Sequence, residues 1–147
     1  MCRKGTVIDY LEDMQKDVYS KYKMVVAQGV STEKEAFELT QKMPSRRFWV
    51  SSNQAYKICM AIHRGDLSVF DHMPQYRVDM FQEIYRRFIQ QRNKLLFRGK
   101  KPYFIIPFII AQEAPRFYIS VDTIRKIVYK QRKYHQAQWK KLAKRPS

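Results

Sequence analysis

Apolar residues recur at positions 8, 11, 14, 18, 22 and 25, and again at 78, 81, 84, 88 and 95. Steps of three and four put each set on one stripe of a long amphipathic helix. Gly29 and Gly99 stand just past the stripes, where a left-handed residue ends a helix at little cost. After the first stripe, "STEKEAFELTQKM" places Thr32 and Glu35 at capping-box spacing, so a shorter helix is expected from about residue 32. After the second, the corresponding helix is expected to begin near Pro107, because the first turn does not use the N–H that proline lacks. Pro44 and Pro115 should end these helices. "RFWV" (47–50) and "RFYI" (116–119) then carry the aromatic and β-branched profile of short strands. Ser51 and Ser120 read as N-caps of third helices, at 52–64 and from 121 onward.

The two series align. "VIDYLEDMQKDVYSKYKMVVAQG" (7–29) matches "RVDMFQEIYRRFIQQRNKLLFRG" (77–99), and "AFELTQKMP" (36–44) matches "PFIIAQEAP" (107–115). "RRFWVSSNQAYKI" (46–58) matches "PRFYISVDTIRKI" (115–127). Collinear matches over this span indicate a tandem duplication with the order helix–helix–strand–helix, twice. The expected fold is mainly α, with a small two-stranded antiparallel ribbon in which each copy's strand satisfies the other's backbone about a pseudo-two-fold axis. The expected organisation is a single domain over 1–147. It comprises repeats 7–64 and 77–133, a turn-rich linker 65–76, and a basic C-terminal helix or tail at 130–147.

Charge changes this picture more than composition does. The 147 residues carry 29 Lys/Arg against 13 Asp/Glu, a formal net charge of +16, with enough apolar residues (45%) to fill a core. The charge is unevenly placed. Residues 1–38 have six Lys/Arg against seven Asp/Glu, whereas 39–147 have 23 against six. Such asymmetry suggests a face that meets a polyanion, most commonly nucleic acid.

Three groups of residues are candidates for that contact. On the ribbon face opposite the core, Arg47 and Trp49, like Arg116 and Tyr118, pair a guanidinium for phosphate with a ring for stacking. The competing expectation is structural, with arginine capping carbonyls and the aromatic covering the ribbon. On the last helix, Arg125, Lys126, Lys130, Arg132, Lys133, Lys140 and Lys141, with Lys144 and Arg145 beyond, exceed what nearby acids neutralise. A helix over 86–100 offers Arg86, Arg87, Arg92, Lys94, Arg98 and Lys100. The Ser-capped third helices also resemble the recognition half of helix-turn-helix motifs, over about twenty-five residues per copy, with Asn53, Gln54, Lys57 and Asp122 at exposed positions. The connection "MPSRRFWV" is longer than the three- or four-residue turn of that pattern and leaves the family unassigned.

Catalytic chemistry finds little support. Cys59 and His63 stand four apart but have no second ligand pair, and Asp9, Glu12, Asp13 and Asp17 read as a polar helix face. There is no glycine-rich phosphate loop and no nucleophile motif. No enzyme activity, cofactor or metal is expected. Two cysteines, Cys2 and Cys59, argue against a structural disulfide and for a reducing, cytoplasmic setting. The most apolar run, 103–111, is too short to cross a membrane. The expected function is non-catalytic nucleic-acid binding, DNA before RNA, as in an accessory protein of a phage or mobile element. The alternative is a structural or assembly subunit of a larger protein or virion complex, with a protein partner or homo-oligomer.

Overall fold

A computed structural model describes residues 7–143. Six α-helices follow one another: α1 (Val7–Ala27), α2 (Glu33–Gln41), α3 (Ser52–His63), α4 (Gln75–Arg92), α5 (Pro102–Ile110) and α6 (Val121–Ala143). Short 3-10 turns at Leu67–Phe70 and Leu95–Phe97 complete them. The mainly helical expectation holds.

The apolar stripes build two cores, and each core draws helices from both series. In one, α3 packs on α4 and α5, burying Ile58, Ile84, Phe88, Ile106 and Ile109 with Phe48 at the centre. In the other, α6 packs on α1 and α2, burying Val18, Tyr22, Phe37, Ile124 and Val128 around Phe117. The third helix of each series therefore completes the core of the other. Segments 42–51 and 111–120 cross between the cores to make this exchange.

At the crossing, Ser45 and Ala114 form one antiparallel bridge, donating N–H to each other's carbonyl at 3.0 Å. The Phe48 amide donates to the carbonyl of Ile110, the last residue of α5, and the Phe117 amide donates to that of Gln41, the last of α2, each at 3.0 Å. Each crossing segment thus caps the C-terminal end of the opposite series' second helix, where carbonyls lack partners within the helix. These bonds, the bounds of α2 and α5, and the Ser51 and Ser120 caps are all related by a shift of 69 positions.

The expected two-stranded ribbon does not form: among the described residues the crossing contains this one bridge and no strand. The backbone groups a ribbon would use are committed locally. The Val50 amide donates to the Phe48 carbonyl in a tight turn, and the Arg47 side chain occupies the carbonyls of Phe48 and Val50.

Three boundaries also differ. α4 ends at Arg92 instead of continuing to 100, because Asn93 donates from its side chain to the Ile89 carbonyl and competes with the helical ladder. Gly99, at φ +80°, therefore follows the 3-10 turn and not a long helix, whereas Gly29, at φ +87°, does follow α1. α5 begins at Pro102 and carries Pro107 in its interior. The register shifts accordingly, so that Phe37 of α2 corresponds to buried Ile106, leaving Phe108 exposed. Finally, the segment expected as a linker lays Val69, Phe70 and Met73 against the α3–α4–α5 core.

Candidate nucleic-acid interface

Consecutive residues of a crossing segment face opposite ways, as alternation requires, but both directions lead into a core. Phe48 and Val50 enter the α3–α4–α5 core while Trp49 packs on the other; Phe117 and Ile119 enter the α1–α2–α6 core while Tyr118 packs on the first. Trp49 donates its indole N–H to Asp17 Oδ2 at 3.0 Å and packs on Tyr10, ring centroids 6.0 Å apart. Tyr118 stacks on Phe48 at 6.0 Å. Burial pushes the phenol pKa of Tyr118 up. Both rings are half-buried among these neighbours.

The two arginines beside them are committed as well. The Arg47 guanidinium lies 5.2 Å from the Trp49 ring and 5.6 Å from Tyr10, while its N–H groups serve Phe48 and Val50. Burial lowers its pKa, opposed by Tyr10 and Asp13 nearby. Arg116 lies over Tyr118 at 5.5 Å and donates to the Phe117 carbonyl at 3.4 Å. Among the described residues, the side-chain contacts of Arg47 are with its own segment and Tyr10, and those of Arg116 stay within residues 116–118.

Buried Asp17 organises one side of the crossing. It accepts from Lys21 at 3.0 Å, from the Arg46 amide at 2.9 Å and from Trp49, and Lys21 also donates to the Pro44 carbonyl at 2.8 Å. Glu83 and Arg87 reproduce the device on α4. Arg87 donates to Glu83 at 2.8 Å and to the Glu113 carbonyl at 2.9 Å. Lys21 lies over Phe117 and Arg87 over Phe48, at 5.8 and 4.9 Å. The shift between these pairs is 66, one helical turn from the 70 that sequence alignment suggests, and it also relates Met14 to Met80 and Tyr22 to Phe88. Arg87 is thus a crossing residue. Arg86 is held by Glu83, whose carboxyl it keeps below the usual range.

What remains open is mostly on α6. Lys126, Lys130, Lys133, Lys140 and Lys141 fall on one face of the helix, opposite the buried Ile124, Val128 and Gln131. Asp122 pairs with Arg125 and Lys126, and those cations hold its carboxyl below the usual range. Arg132 reaches Glu33 at 3.7 Å and Tyr22 Oη at 3.0 Å. Lys130, Lys133, Lys140 and Lys141 are exposed and, among the described residues, have no carboxylate within 4.0 Å. The last two turns project beyond the core, with Trp139 73% exposed. Lys144 and Arg145 lie outside the described residues.

At the other core, Arg92 approaches His63 at 3.5 Å, and Lys94, Arg98, Lys100 and Lys101 are exposed around the 3-10 turn. This group flanks the connection between α4 and α5, whereas the α6 lysines lie on a helix that packs on α1 and α2. Asn53, Gln54 and Lys57 are exposed on the first turns of α3.

Among the described residues no group of three or more His, Cys, Asp or Glu is placed to hold a metal ion. Cys59 is buried, and burial pushes its thiol up to about 12. Likewise no described helix is long and apolar enough to cross a membrane. Sequence reasoning missed the apolar surface at Leu95, Leu96, Phe104 and Phe108, because Leu95 fits a stripe and Phe108 aligns with Phe37. Comparison with protein-family models, with curated proteins and with solved structures finds no match.

Proposed function

We propose that the chain is a non-catalytic nucleic-acid-binding protein whose principal contact is the lysine stripe of α6. The observation that carries this reading is a contrast along one helix. Arg125 and Lys126 pair with Asp122 and Arg132 reaches Glu33, while Lys130, Lys133, Lys140 and Lys141 have no such partner among the described residues and share one face. From Lys130 to Lys141 that face runs about 16 Å, long enough to follow several phosphates. Leaving these charges unpaired makes them free to displace counterions from a nucleic-acid backbone.

Duplex DNA is the preferred ligand, read without dependence on the crossing arginines. The molecule is one folding unit that arose by tandem duplication. Exchange of third helices, the paired capping of α2 and α5, and the repeated carboxylate–cation brace support that origin. The setting proposed is cytoplasmic, in keeping with the buried thiol and with an accessory protein of a mobile element.

The test is fluorescence anisotropy of labelled duplex DNA and hairpin RNA across a salt series. Binding should weaken steeply with salt, and replacing the four lysines by glutamine should reduce the logarithmic slope by about 0.9 for each phosphate no longer neutralised. Absence of binding to either ligand at low salt overturns the reading. A second reading, an assembly subunit, is favoured by the exposed apolar surface on α5.

A further inference from the structure

Leu95 (82% exposed), Leu96 (75%) and Phe104 (66%) stand in solvent beside Tyr103 and Phe108. Leu96, Phe97, Lys100, Phe104 and Phe108 line an open concavity of about 410 Å³. Phe97 and Phe108 shape it, ring centroids 5.0 Å apart, so the groove is built by packing between the 3-10 turn and α5. Contiguous exposed apolar surface of this kind marks an interaction site.

The molecule carries its own control. Shifted by 69 positions, the outer face of α5 corresponds to that of α2. There Lys34, Glu35, Glu38 and Leu39 take the places of Tyr103, Phe104, Pro107 and Phe108, and all eight are exposed. The inner faces match, with Ala36, Phe37 and Thr40 buried as are Ile105, Ile106 and Ile109. Three of these four places are charged in α2, so the frame does not require apolar groups at positions 103, 104 and 107.

The charge around the groove identifies what covers it. Lys94, Arg98, Lys100 and Lys101 are exposed, no described carboxylate lies within 4.0 Å of any of them, and no Asp or Glu occurs between Glu83 and Glu113. We infer that the groove docks an acidic amphipathic segment of a partner protein. Its large apolar side chains seat between Leu96, Phe104 and Phe108, and its carboxylates meet the lysines and arginine at the rim. A second copy docking groove to groove brings like charges together. The exposed apolar end of α6 carries Lys140 and Lys141 and meets the same repulsion. A lipid surface shares the apolar and cationic chemistry, but a concavity fits inserted side chains better than a flat interface. The inference stands independently of nucleic-acid binding by α6.

A displayed library of amphipathic helical peptides, with polar positions varied among acidic, basic and neutral residues, is panned against the full chain and against the Leu96→Glu/Phe104→Glu double variant. Both substituted side chains are exposed, so the variant should keep its melting temperature, which is measured alongside. The wild type should enrich net-acidic peptides. A synthesised winner should bind at micromolar concentrations, more weakly at high salt, and lose roughly tenfold or more in affinity for the variant. The inference is overturned by enrichment without acidic bias, by equal enrichment on the variant, or by no enrichment. Sedimentation of the wild type as a dimer that the variant abolishes would assign the groove to a second copy. Co-sedimentation with phosphatidylserine vesicles that the variant abolishes, without peptide enrichment, would assign it to a membrane.

Discussion

α2 and α5 occupy corresponding places in the fold and present opposite surfaces to solvent. Each is nine residues long, each buries a stripe against a third helix from the other series, and each has its last carbonyl capped by a phenylalanine amide. Yet α2 shows charged side chains, and its first turn is closed by reciprocal bonds, with Thr32 accepting from the Glu35 amide and Glu35 accepting from the Ser31 amide. α5 starts from a proline with no side-chain cap and shows aromatic rings. α3 and α6 differ in the same sense: twelve residues suffice to fill the core in one, and the other runs to 23 and carries lysines past it. The fold constrains inner faces and crossing contacts. Outer faces and lengths are less constrained, and it is there that the two halves differ.

The strongest way to break the comparison is to ask whether the halves depend on each other equally. Phe48→Ala and Phe117→Ala should each cost about 3–5 kcal/mol, because each deletes the central ring of a core. Denaturant unfolding should remain one transition for both, since each core contains helices from both series. Two separated transitions would show independent halves.

The carboxylate–cation braces should be unequal, which sharpens the comparison. Asp17→Ala removes an acceptor for Lys21, the Arg46 amide and the Trp49 indole at a buried site, with an expected loss of about 2–3 kcal/mol. Glu83→Gln, at a more exposed site, should cost about 1 kcal/mol. The Arg86 hydrogen bond lowers the folded pKa of Glu83, so its contribution is complete above the unfolded carboxyl's titration range. It is then lost as pH falls through the folded value. Stability measured from pH 6 downward should therefore fall less steeply in Glu83→Gln than in the wild type. An equal slope in the two proteins would show that this brace contributes no linkage.

The smallest effect should come from making α5 resemble α2. Phe104→Glu should change stability by no more than about 0.5 kcal/mol, as judged by thermal melting, since its ring faces solvent. A larger loss would mean that the outer face serves the fold.

These contrasts also explain what could be read from sequence. The helices of the first series were legible because their stripes are regular and their caps are Thr32 and Ser51, residues that bond the backbone as their chemistry suggests. The crossing looked like strand because Phe48, Trp49 and Val50 alternate. Alternation reports two differently placed faces, and here each packs against a core, so the alternation occurs without a strand. The alignment register failed where two hydrophobic surfaces compete. Leu95 and Phe108 align with Val25 and Phe37, both buried, and no pattern distinguishes an apolar residue facing a core from one left in solvent. Local sequence does not reveal that the Arg87 guanidinium meets the Glu113 carbonyl 26 positions away. The α6 lysines were legible because their number exceeds that of the acids near them.

The central claim is that α6 carries a phosphate-binding stripe on a fold that does not need it. The most direct measurement is the salt dependence of duplex-DNA affinity for the wild type and for the variant with Lys130, Lys133, Lys140 and Lys141 changed to glutamine, with thermal melting of both. The account predicts unchanged melting, weaker binding and a logarithmic salt slope reduced by about 3–4. An unchanged slope, or a wild type that does not bind, would contradict it.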